Sequence, residues 1–327
     1  MESTEKKISL ELLPWLVVHE DGTIKRIAGT ETCPPGFDPE TRVLSKDITM
    51  EPETGLSGRI YRSDPVLPGG KLPLVLYFHG GGFVVASAAF PNYHKSLNKL
   101  VAEGNIIAVS VNYRLAPEHP LPAAYEDSWT TLQWIRSHMT RLGSEPAPGT
   151  ESWISEFADL DRLFLVGDSA GANISHHLAI RLKRSDQDPN LKIRGIGMIH
   201  PYFWGSEPIL SEVDDPERKA MVDSWWRFVG RSERGCDDPW INPFGNGSAE
   251  VEDLGCERVM ICVAEKDVLR ERGKEYYERL VKSRSWWRGS AEMVETKGKD
   301  HVFHIFEHDC HEAVELIRRL ALFMNHA

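Results

Sequence analysis

Short apolar runs alternate with longer amphipathic stretches from about residue 72 onward, and this alternation limits the possible fold more than any other feature of the chain. Continuous apolar runs are typical of strands buried on both faces, and the stretches between them have helical periodicity. The predicted strands are 72–79, 106–113, 163–168, 193–200, 258–264 and 291–296. The predicted helices are 123–142, 170–183, 272–282 and 311–324. Because strand–helix–strand order places successive strands in parallel, we expect an α/β fold with a mostly parallel central sheet flanked by helices.

Two regions depart from this alternation. Before the first buried run, three segments alternate polar and apolar residues, which predicts antiparallel strands at the edge of the sheet. These segments are 23–26, 43–50 and 56–62. Residues 204–252 are rich in Pro, Gly, Asp and Trp around a helical centre at 222–229, and we interpret them as an insertion above the sheet. The whole chain, 1–327, is therefore predicted to form one domain.

The charge balance excludes one large class of partner. Lys and Arg total 38 against 49 Asp and Glu, a formal net charge of −11 that repels phosphate backbones and anionic lipid surfaces. We therefore expect neither nucleic acid nor a membrane as partner. No apolar run approaches the length of a membrane span, and the acidic N-terminus lacks the apolar region of a signal peptide. With five cysteines in no paired or zinc-binding spacing, these features predict a cytoplasmic protein.

Residues 167–171, Gly-Asp-Ser-Ala-Gly, stand between a predicted strand and a predicted helix. In that context the pattern G-x-S-x-G forms a sharp turn that exposes its serine, here Ser169, above the sheet. Small residues on either side let strand and helix approach each other without Cβ clashes. Taken alone, the pentapeptide is equally compatible with Ser169 as an ordinary helix N-cap.

A second glycine motif, His-Gly-Gly-Gly-Phe at 79–83, follows another predicted strand. Consecutive glycines let backbone N–H groups turn toward one point, and the transition state of acyl transfer places negative charge on a former carbonyl oxygen. The N–H groups of Gly81, Gly82 and Ala170 are therefore predicted to form an oxyanion hole. A phosphate-binding role is disfavoured, because the chain contains neither G-x-x-x-x-G-K-[ST] nor G-x-G-x-x-G.

A serine hydroxyl is a weak nucleophile that needs a general base, and the base needs a third group to orient it. When these groups follow in the order Ser, Asp, His, the acid stands after a late strand and the histidine after the last one. Asp267 and His301 occupy those positions. Asp300 and Glu265 are weaker candidates for the acid, because the first adjoins His301 in sequence and the second is predicted to point to the other strand face.

Two other clusters contain possible metal ligands, but neither has the spacing of a zinc site. They are His176 with His177, and His308 with Cys310 and His311. We predict no metal and no organic cofactor. His79 is expected to support the glycine loop. Tyr113 and Arg114 are expected either to support the serine turn from the neighbouring strand or to lie in a solvated loop.

Four segments together resemble the plant carboxylesterases of the α/β-hydrolase superfamily, in the branch similar to hormone-sensitive lipase. These segments are 77–83, 112–119, 121–127 and 167–171. Residues 258–273 and 300–306 are similar in particular to the 2-hydroxyisoflavanone dehydratase-like group. The resemblance implies the α/β-hydrolase fold, with a helical cap built from the N-terminus, about 1–20, and from the insertion, about 204–252.

The same resemblance implies a serine carboxylesterase with Ser169, Asp267 and His301 as catalytic triad, acting on a small-molecule ester or related plant metabolite. Two alternatives stay open. Members of the dehydratase-like group use the same residues for elimination or cyclisation, some with Thr in place of the serine, so a lyase of plant specialised metabolism is the second candidate. Gibberellin receptors of this branch share the fold but lack the histidine, and the presence of His301 therefore disfavours a binding-only role.

Substrate pockets for small ligands are mostly apolar, with few polar groups. On that basis Phe83 and Val84, beside the glycine motif, and Trp225, in the insertion, are predicted to line the pocket. The segment near Trp15 is a further candidate. The sequence leaves the oligomeric state open between monomer and homodimer.

Overall fold

The computed structural model describes residues 7–66, 70–139, 150–185, 191–250, 253–282 and 287–326. Its strands are β1 (Ile8–Leu12), β2 (Leu16–His19), β3 (Ile24–Arg26), β4 (Phe37–Asp38), β5 (Val43–Glu51), β6 (Leu56–Ser63), β7 (Leu72–Phe78), β8 (Ile107–Asn112), β9 (Ala158–Asp168), β10 (Ile193–Ile199), β11 (Cys256–Ala264) and β12 (Ser290–Thr296). Nine of them form the central sheet, in the order β12-β11-β10-β9-β7-β8-β6-β5-β4. Strands β7 to β12 pair in parallel, and β4, β5 and β6 add an antiparallel edge. The predicted mostly parallel α/β sheet is confirmed.

Helices cover both faces of this sheet. They are α1 (Pro91–Gly104), α2 (Ala123–Ser137), α3 (Ser152–Phe157), α4 (Ala170–Arg184), α5 (Pro216–Gly230), α6 (Arg270–Lys282), α7 (Phe303–Phe306) and α8 (His311–Asn325). Successive side chains of β7 point to opposite faces, so Leu74, Leu76 and Phe78 join one buried cluster with residues of α2, α4 and α6. Val75 and Tyr77 join the other, with residues of α1 and α8. Apolar burial on both faces holds β7 and its neighbours, whose carboxyl ends carry the site, in fixed positions.

The helix boundaries differ from the prediction in two places. The helix predicted at 123–142 is α2, which ends at Ser137, and residues 140–142 lie outside the described residues. Helix α1 was not predicted. Its N-cap is Phe90, which has no capping side chain, so the usual polar start signal is missing. Pro91 in the first turn and the left-handed Asn105 after the end are the signals that could have revealed it.

The described N-terminal residues form strands, and the prediction of a helical cap element at 1–20 is wrong for them. Strands β1, β2 and β3 make a separate three-stranded antiparallel sheet, because apolar residues recur at every second position of β1. The segment predicted at 23–26 pairs with β2 and not with the edge of the central sheet. Arg26 attaches this small sheet to the body, since its Nε donates to the Val84 carbonyl at 2.7 Å.

The insertion at 204–252 contains α5 and two short 3-10 helices, Leu210–Asp214 and Gly235–Asp237. The helical centre predicted at 222–229 lies within α5. Trp226 anchors the helix inside the insertion, where its Nε1 donates to the Gly235 carbonyl at 3.0 Å. We refer to α5 below as the cap helix, because its inner face covers the carboxyl ends of the central strands.

Candidate active site

The serine turn lies between β9 and α4, as its sequence predicts. Ser169 has φ 52° and ψ −115°, a left-handed conformation in which the chain reverses sharply from strand to helix. Gly171 makes the turn possible, because a Cβ at that position would lie 1.8 Å from the Phe78 carbonyl oxygen on the adjacent strand. Because Gly171 has no side chain, the start of α4 packs against the end of β7. The glycine loop, which directly follows β7, therefore lies next to the serine turn.

Ser169, His301 and Asp267 form one hydrogen-bonded chain. Ser169 Oγ lies 2.9 Å from His301 Nε2, and His301 Nδ1 donates to Asp267 Oδ2 at 2.7 Å. Asp267 follows β11 and is buried, and its second oxygen accepts the Leu269 N–H at 2.9 Å. His301 follows β12. Burial by itself lowers the pKa of His301, but the carboxylates of Asp267, Asp168 and Asp300, with Asp267 foremost, together outweigh it, and the net pKa is raised above the ordinary 6.5.

The two weaker acid candidates lie elsewhere. Asp300 Oδ1 accepts the backbone N–H of His301 at 2.7 Å and a guanidinium N–H of Arg218 at 2.8 Å, so it bonds to the loop and not to the imidazole. Glu265 accepts the Gly298 N–H at 2.8 Å on the exposed side of the strand end. Of the three carboxylates, Asp267 is the one hydrogen-bonded to the ring.

The glycine loop lies beside Ser169. Gly81 and Gly82 have φ of 89° and 56°, a region that glycine adopts at low cost, and both line the cavity that also contains Ser169. Among the described residues neither N–H donates a hydrogen bond to the protein. The N–H of Ala170 belongs to the first turn of α4, where helix geometry supplies no acceptor. Gly81 and Gly82 thus share the cavity with Ser169, and Ala170 directly follows it in the chain; their role as oxyanion donors stays a prediction.

A buried carboxylate connects the glycine loop to the serine turn. Asp168, directly before Ser169, accepts hydrogen bonds from the hydroxyls of Tyr77 (2.8 Å) and Tyr93 (2.7 Å), and Tyr93 in turn accepts the Gly80 N–H at 2.7 Å. Burial raises the pKa of Asp168 to about 6, although both tyrosine hydrogen bonds act to lower it. Sequence reasoning missed this network. The position of Asp168 at a buried strand end was an available signal, but no pattern pointed to Tyr93 in α1.

His79 and Tyr113 hold the other side of the loop. His79 Nδ1 lies 2.8 Å from the Gly80 carbonyl, and burial lowers the pKa of His79 to about 4, so the ring is neutral. Tyr113 donates to the His79 carbonyl at 2.6 Å and stacks on the His79 ring. Tyr113 thus contacts the glycine loop and not the serine turn. Arg114 pairs with Asp127 of α2 and does not contact the turn either.

A cavity of about 380 Å³ opens beside Ser169. Its apolar lining includes Trp15, Val85, Ala86, Phe90, Met221, Val222, Trp225, Val268, Leu269, Val302 and Phe306. Trp225 and the segment near Trp15 therefore line it. Phe83 and Val84 do not, and their prediction as lining residues is corrected: both are fully buried in the core, and Phe83 packs against Tyr125 and Trp226. The left-handed φ of 66° at Phe83 turns its side chain inward.

Among the described residues, one group of side chains lies close enough together to bind a metal ion. Nitrogen and oxygen atoms of His200, Asp267 and His301 lie within 4.8 Å of one another. His301 and Asp267 are already bonded to each other and to Ser169, and His200 Nδ1 accepts the Val302 N–H at 2.8 Å. His176 and His177, whose spacing is not that of a zinc site, have other partners: His176 bonds to the Tyr276 hydroxyl and His177 to the Trp240 carbonyl.

A serine at a strand–helix turn, bonded to a histidine that follows the last strand of a mostly parallel sheet, is the arrangement of the α/β hydrolases. A family model described as alpha/beta hydrolase fold matches residues 75–305. The chain belongs to the alpha/beta hydrolase family.

Two plant relatives align with nearly the whole chain. "Probable carboxylesterase 2" of Arabidopsis thaliana is 66% identical and covers 99% of both chains. "Tuliposide A-converting enzyme 1, chloroplastic" of Tulipa gesneriana is 40% identical over 98% of this chain and 79% of its own length. An esterase structure from Pyrobaculum calidifontis superposes with a TM-score of 0.69 at 27% identity, covering 86% of this chain and 84% of its own. Within the family, the sequence groups with the plant carboxylesterases, and the finer likeness to the dehydratase-like group stays a prediction.

Within the described ranges, no helix combines the length and apolar character needed to cross a membrane. The cytoplasmic location and the choice between monomer and homodimer stay predictions.

Proposed function

We propose that the protein is a serine carboxylesterase that hydrolyses small-molecule carboxylic esters. One observation carries the proposal: the chain of hydrogen bonds from Ser169 through His301 to Asp267, beside the Gly81 and Gly82 N–H groups, for which the described part of the chain provides no acceptor. Serine, base and orienting acid are the components that acyl transfer requires, and free amide donors are the component that stabilises its oxyanion. The names of the plant relatives and of the archaeal structure support the same activity.

In the first half of the reaction, His301 Nε2 takes the Ser169 proton while Oγ attacks the ester carbonyl carbon. The Gly81, Gly82 and Ala170 N–H groups stabilise the oxyanion of the tetrahedral intermediate. Asp267 keeps the His301 Nδ1–H directed toward itself and stabilises the imidazolium. The imidazolium then protonates the leaving oxygen, the carbon–oxygen bond to the alcohol breaks, and an acyl-enzyme on Ser169 is left.

In the second half, a water molecule takes the place of the alcohol. His301 removes one of its protons, the resulting hydroxyl adds to the acyl carbon, and the same N–H groups stabilise the second tetrahedral intermediate. Collapse returns the proton from Nε2 to Ser169 Oγ and releases the carboxylic acid. Water and ester are consumed and acid and alcohol are formed, so no cofactor takes part in the proposed reaction.

The acyl-enzyme gives the direct test of this function. Mixing the protein with p-nitrophenyl acetate should release a burst of one equivalent of nitrophenol per chain, followed by slower turnover. A fluorophosphonate should label the protein, and peptide mass analysis should find the label on Ser169. No burst and no label, together with dehydration of a β-hydroxy ketone, would overturn the esterase proposal in favour of the lyase alternative.

The pH dependence follows from the His301 pKa. Only the neutral imidazole accepts the Ser169 proton. Burial lowers the pKa of His301, but Asp267, with smaller contributions from Asp168 and Asp300, holds it above the ordinary 6.5. We therefore expect kcat/KM for a neutral ester to fall as the pH drops through a midpoint above 6.5, because protonated His301 is inactive. Initial rates from pH 5 to pH 9 measure this midpoint, which reports the free enzyme.

Matched carboxylate variants show whether Asp267 causes the raised pKa. Asp267→Asn removes the charge at the ring and should move the His301 midpoint to lower pH, as followed by NMR of the imidazole protons. Glu265→Gln removes a charge from the end of the same strand, but Glu265 bonds to Gly298 and Lys297 and should leave the midpoint in place. An unchanged midpoint in Asp267→Asn would contradict the assignment of the acid.

A further inference from the structure

The cap helix presents one continuous face to the cavity. Arg218, Met221, Val222 and Trp225 are spaced i, i+3, i+4 and i+7 along α5, and all four line the cavity beside Ser169. The two central residues are apolar, whereas the two outer residues carry N–H donors. Those donors bond to segments of the central domain that carry the proposed catalytic groups.

Trp225 bonds to the glycine loop. Its Nε1 donates to the Gly82 carbonyl at 2.8 Å, and its side chain is 9% exposed. The indole fits there only because residue 82 has no side chain: a Cβ would lie 2.2 Å from Nε1. Gly82 is left-handed and supplies one of the proposed oxyanion donors, so a hydrogen bond to its carbonyl limits rotation of the peptide groups at the oxyanion hole.

Arg218 bonds to the acid loop and the histidine loop at once. Its Nη1 donates to the Lys266 carbonyl and its Nη2 to Asp300 Oδ1, both at 2.8 Å. Lys266 directly precedes Asp267. Asp300 directly precedes His301 and accepts the His301 N–H on the same Oδ1, at 2.7 Å. A single guanidinium on the cap helix therefore connects the two loops whose side chains form the Asp267–His301 hydrogen bond.

We propose that Arg218 and Trp225 are positioning residues. Through them the cap helix holds the oxyanion N–H groups and the Asp267–His301 pair at the distance and orientation from Ser169 that the reaction requires. The inference rests on the proposed esterase function. It gives α5 a second role besides that of a cavity wall, since the helix that lines the cavity through Met221 and Val222 also fixes the groups that act there.

The two roles predict different kinetics. A wall residue acts through contact with the substrate, so its loss changes KM and does so most for bulky esters. A positioning residue acts on transition-state stabilisation, so its loss lowers kcat even for an ester too small to reach the wall. The decisive measurement is therefore kcat and KM for p-nitrophenyl acetate beside a longer acyl ester.

Two variants remove the hydrogen bonds with little loss of bulk. Trp225→Phe keeps an aromatic ring but lacks the N–H, and Arg218→Met keeps the length of the side chain but lacks the guanidinium. Each should lower kcat for p-nitrophenyl acetate about tenfold or more with little change in KM, the scale expected for one misplaced stabilising group. Arg218→Lys should recover part of the kcat, because an ammonium can still reach one of the two acceptors.

Trp226→Phe is the matched control. The adjacent indole donates to Gly235 inside the insertion and has no hydrogen bond to the three loops among the described residues. Its ring packs against Phe83, and phenylalanine keeps a ring in that contact, so kcat should stay within about twofold of wild type. Circular dichroism and thermal unfolding check that each variant is folded, and if Arg218→Met is not, Arg218→Lys carries the test through its kcat.

Unchanged kcat for p-nitrophenyl acetate in folded Trp225→Phe and Arg218→Lys, with only KM altered for the longer ester, would overturn the positioning role and leave the cap helix as a wall. Failure of the function itself has a separate signature, because the wild-type protein would then give neither the nitrophenol burst nor the label on Ser169.

Discussion

Ser169→Ala should lower kcat for p-nitrophenyl acetate by at least about 10⁴-fold, because it removes the atom that carries the acyl group. The side chain is small and makes its one side-chain hydrogen bond to His301 Nε2, so the variant should keep the wild-type fold. The burst of nitrophenol should vanish together with the steady-state rate. Stopped-flow absorbance measures both on the same sample.

Ser175→Ala is the matched control for this substitution. Ser175 lies on the same helix and its hydroxyl donates to the Gly171 carbonyl at 3.0 Å, away from the imidazole. We expect its kcat to stay close to wild type. Full activity in Ser169→Ala would contradict the nucleophile assignment, and a comparable loss in both variants would mean that the effect comes from disturbance of α4.

Gly171→Ala should have the second largest effect, on stability and on rate together. The added methyl group would lie 1.8 Å from the Phe78 carbonyl and 2.9 Å from the His79 carbonyl, both backbone atoms, so β7 and α4 must move apart. Overpacking of this kind costs about 3 kcal/mol in free energy of unfolding. The same shift moves Ser169 away from the glycine loop, and kcat should fall on the order of 10²-fold.

Urea unfolding and p-nitrophenyl acetate turnover measure the two effects, and Gly104→Ala serves as control. At Gly104, the end of α1, the nearest contact of an added Cβ is a side-chain methyl of Ile106 at 3.2 Å, which can give way. Gly104→Ala should therefore change the free energy of unfolding by less than about 1 kcal/mol and leave kcat alone. Wild-type stability and rate in Gly171→Ala would show that the close approach of α4 and β7 is unnecessary.

The sequence allowed the central sheet and the Ser169–His301–Asp267 chain to be predicted for one physical reason. Buried parallel strands have continuous apolar sequences, so their carboxyl ends can be located along the chain, and groups that follow those ends must meet at one edge of the sheet. Asp267 is placed by that rule after β11. His301 follows β12, an edge strand with no buried residue, and its position after the last predicted strand was the signal. The predicted strand face then ranked Asp267 above Glu265.

The remaining features depend on orientations that periodicity does not encode. Phe83 and Val84 follow a glycine turn with left-handed φ, where neither a helical nor a strand period says which side chain points inward. The hydrogen bond between Tyr93 and Asp168 joins residues 75 positions apart, and the one between Trp225 and Gly82 joins residues 143 apart. Contacts between such distant segments follow from tertiary packing, which a single sequence does not reveal.

Part of the cavity wall comes from segments peripheral to the central sheet. Trp15 belongs to the turn after β1, Met221 to the cap helix and Phe306 to the end of α7, whereas the reacting groups follow strands of the central sheet. Replacing a wall side chain alters the shape offered to an acyl or alcohol group without repacking the core. Gene duplicates built on this plan can therefore acquire new substrates through a few exchanges at the periphery while inheriting the same chemistry unchanged.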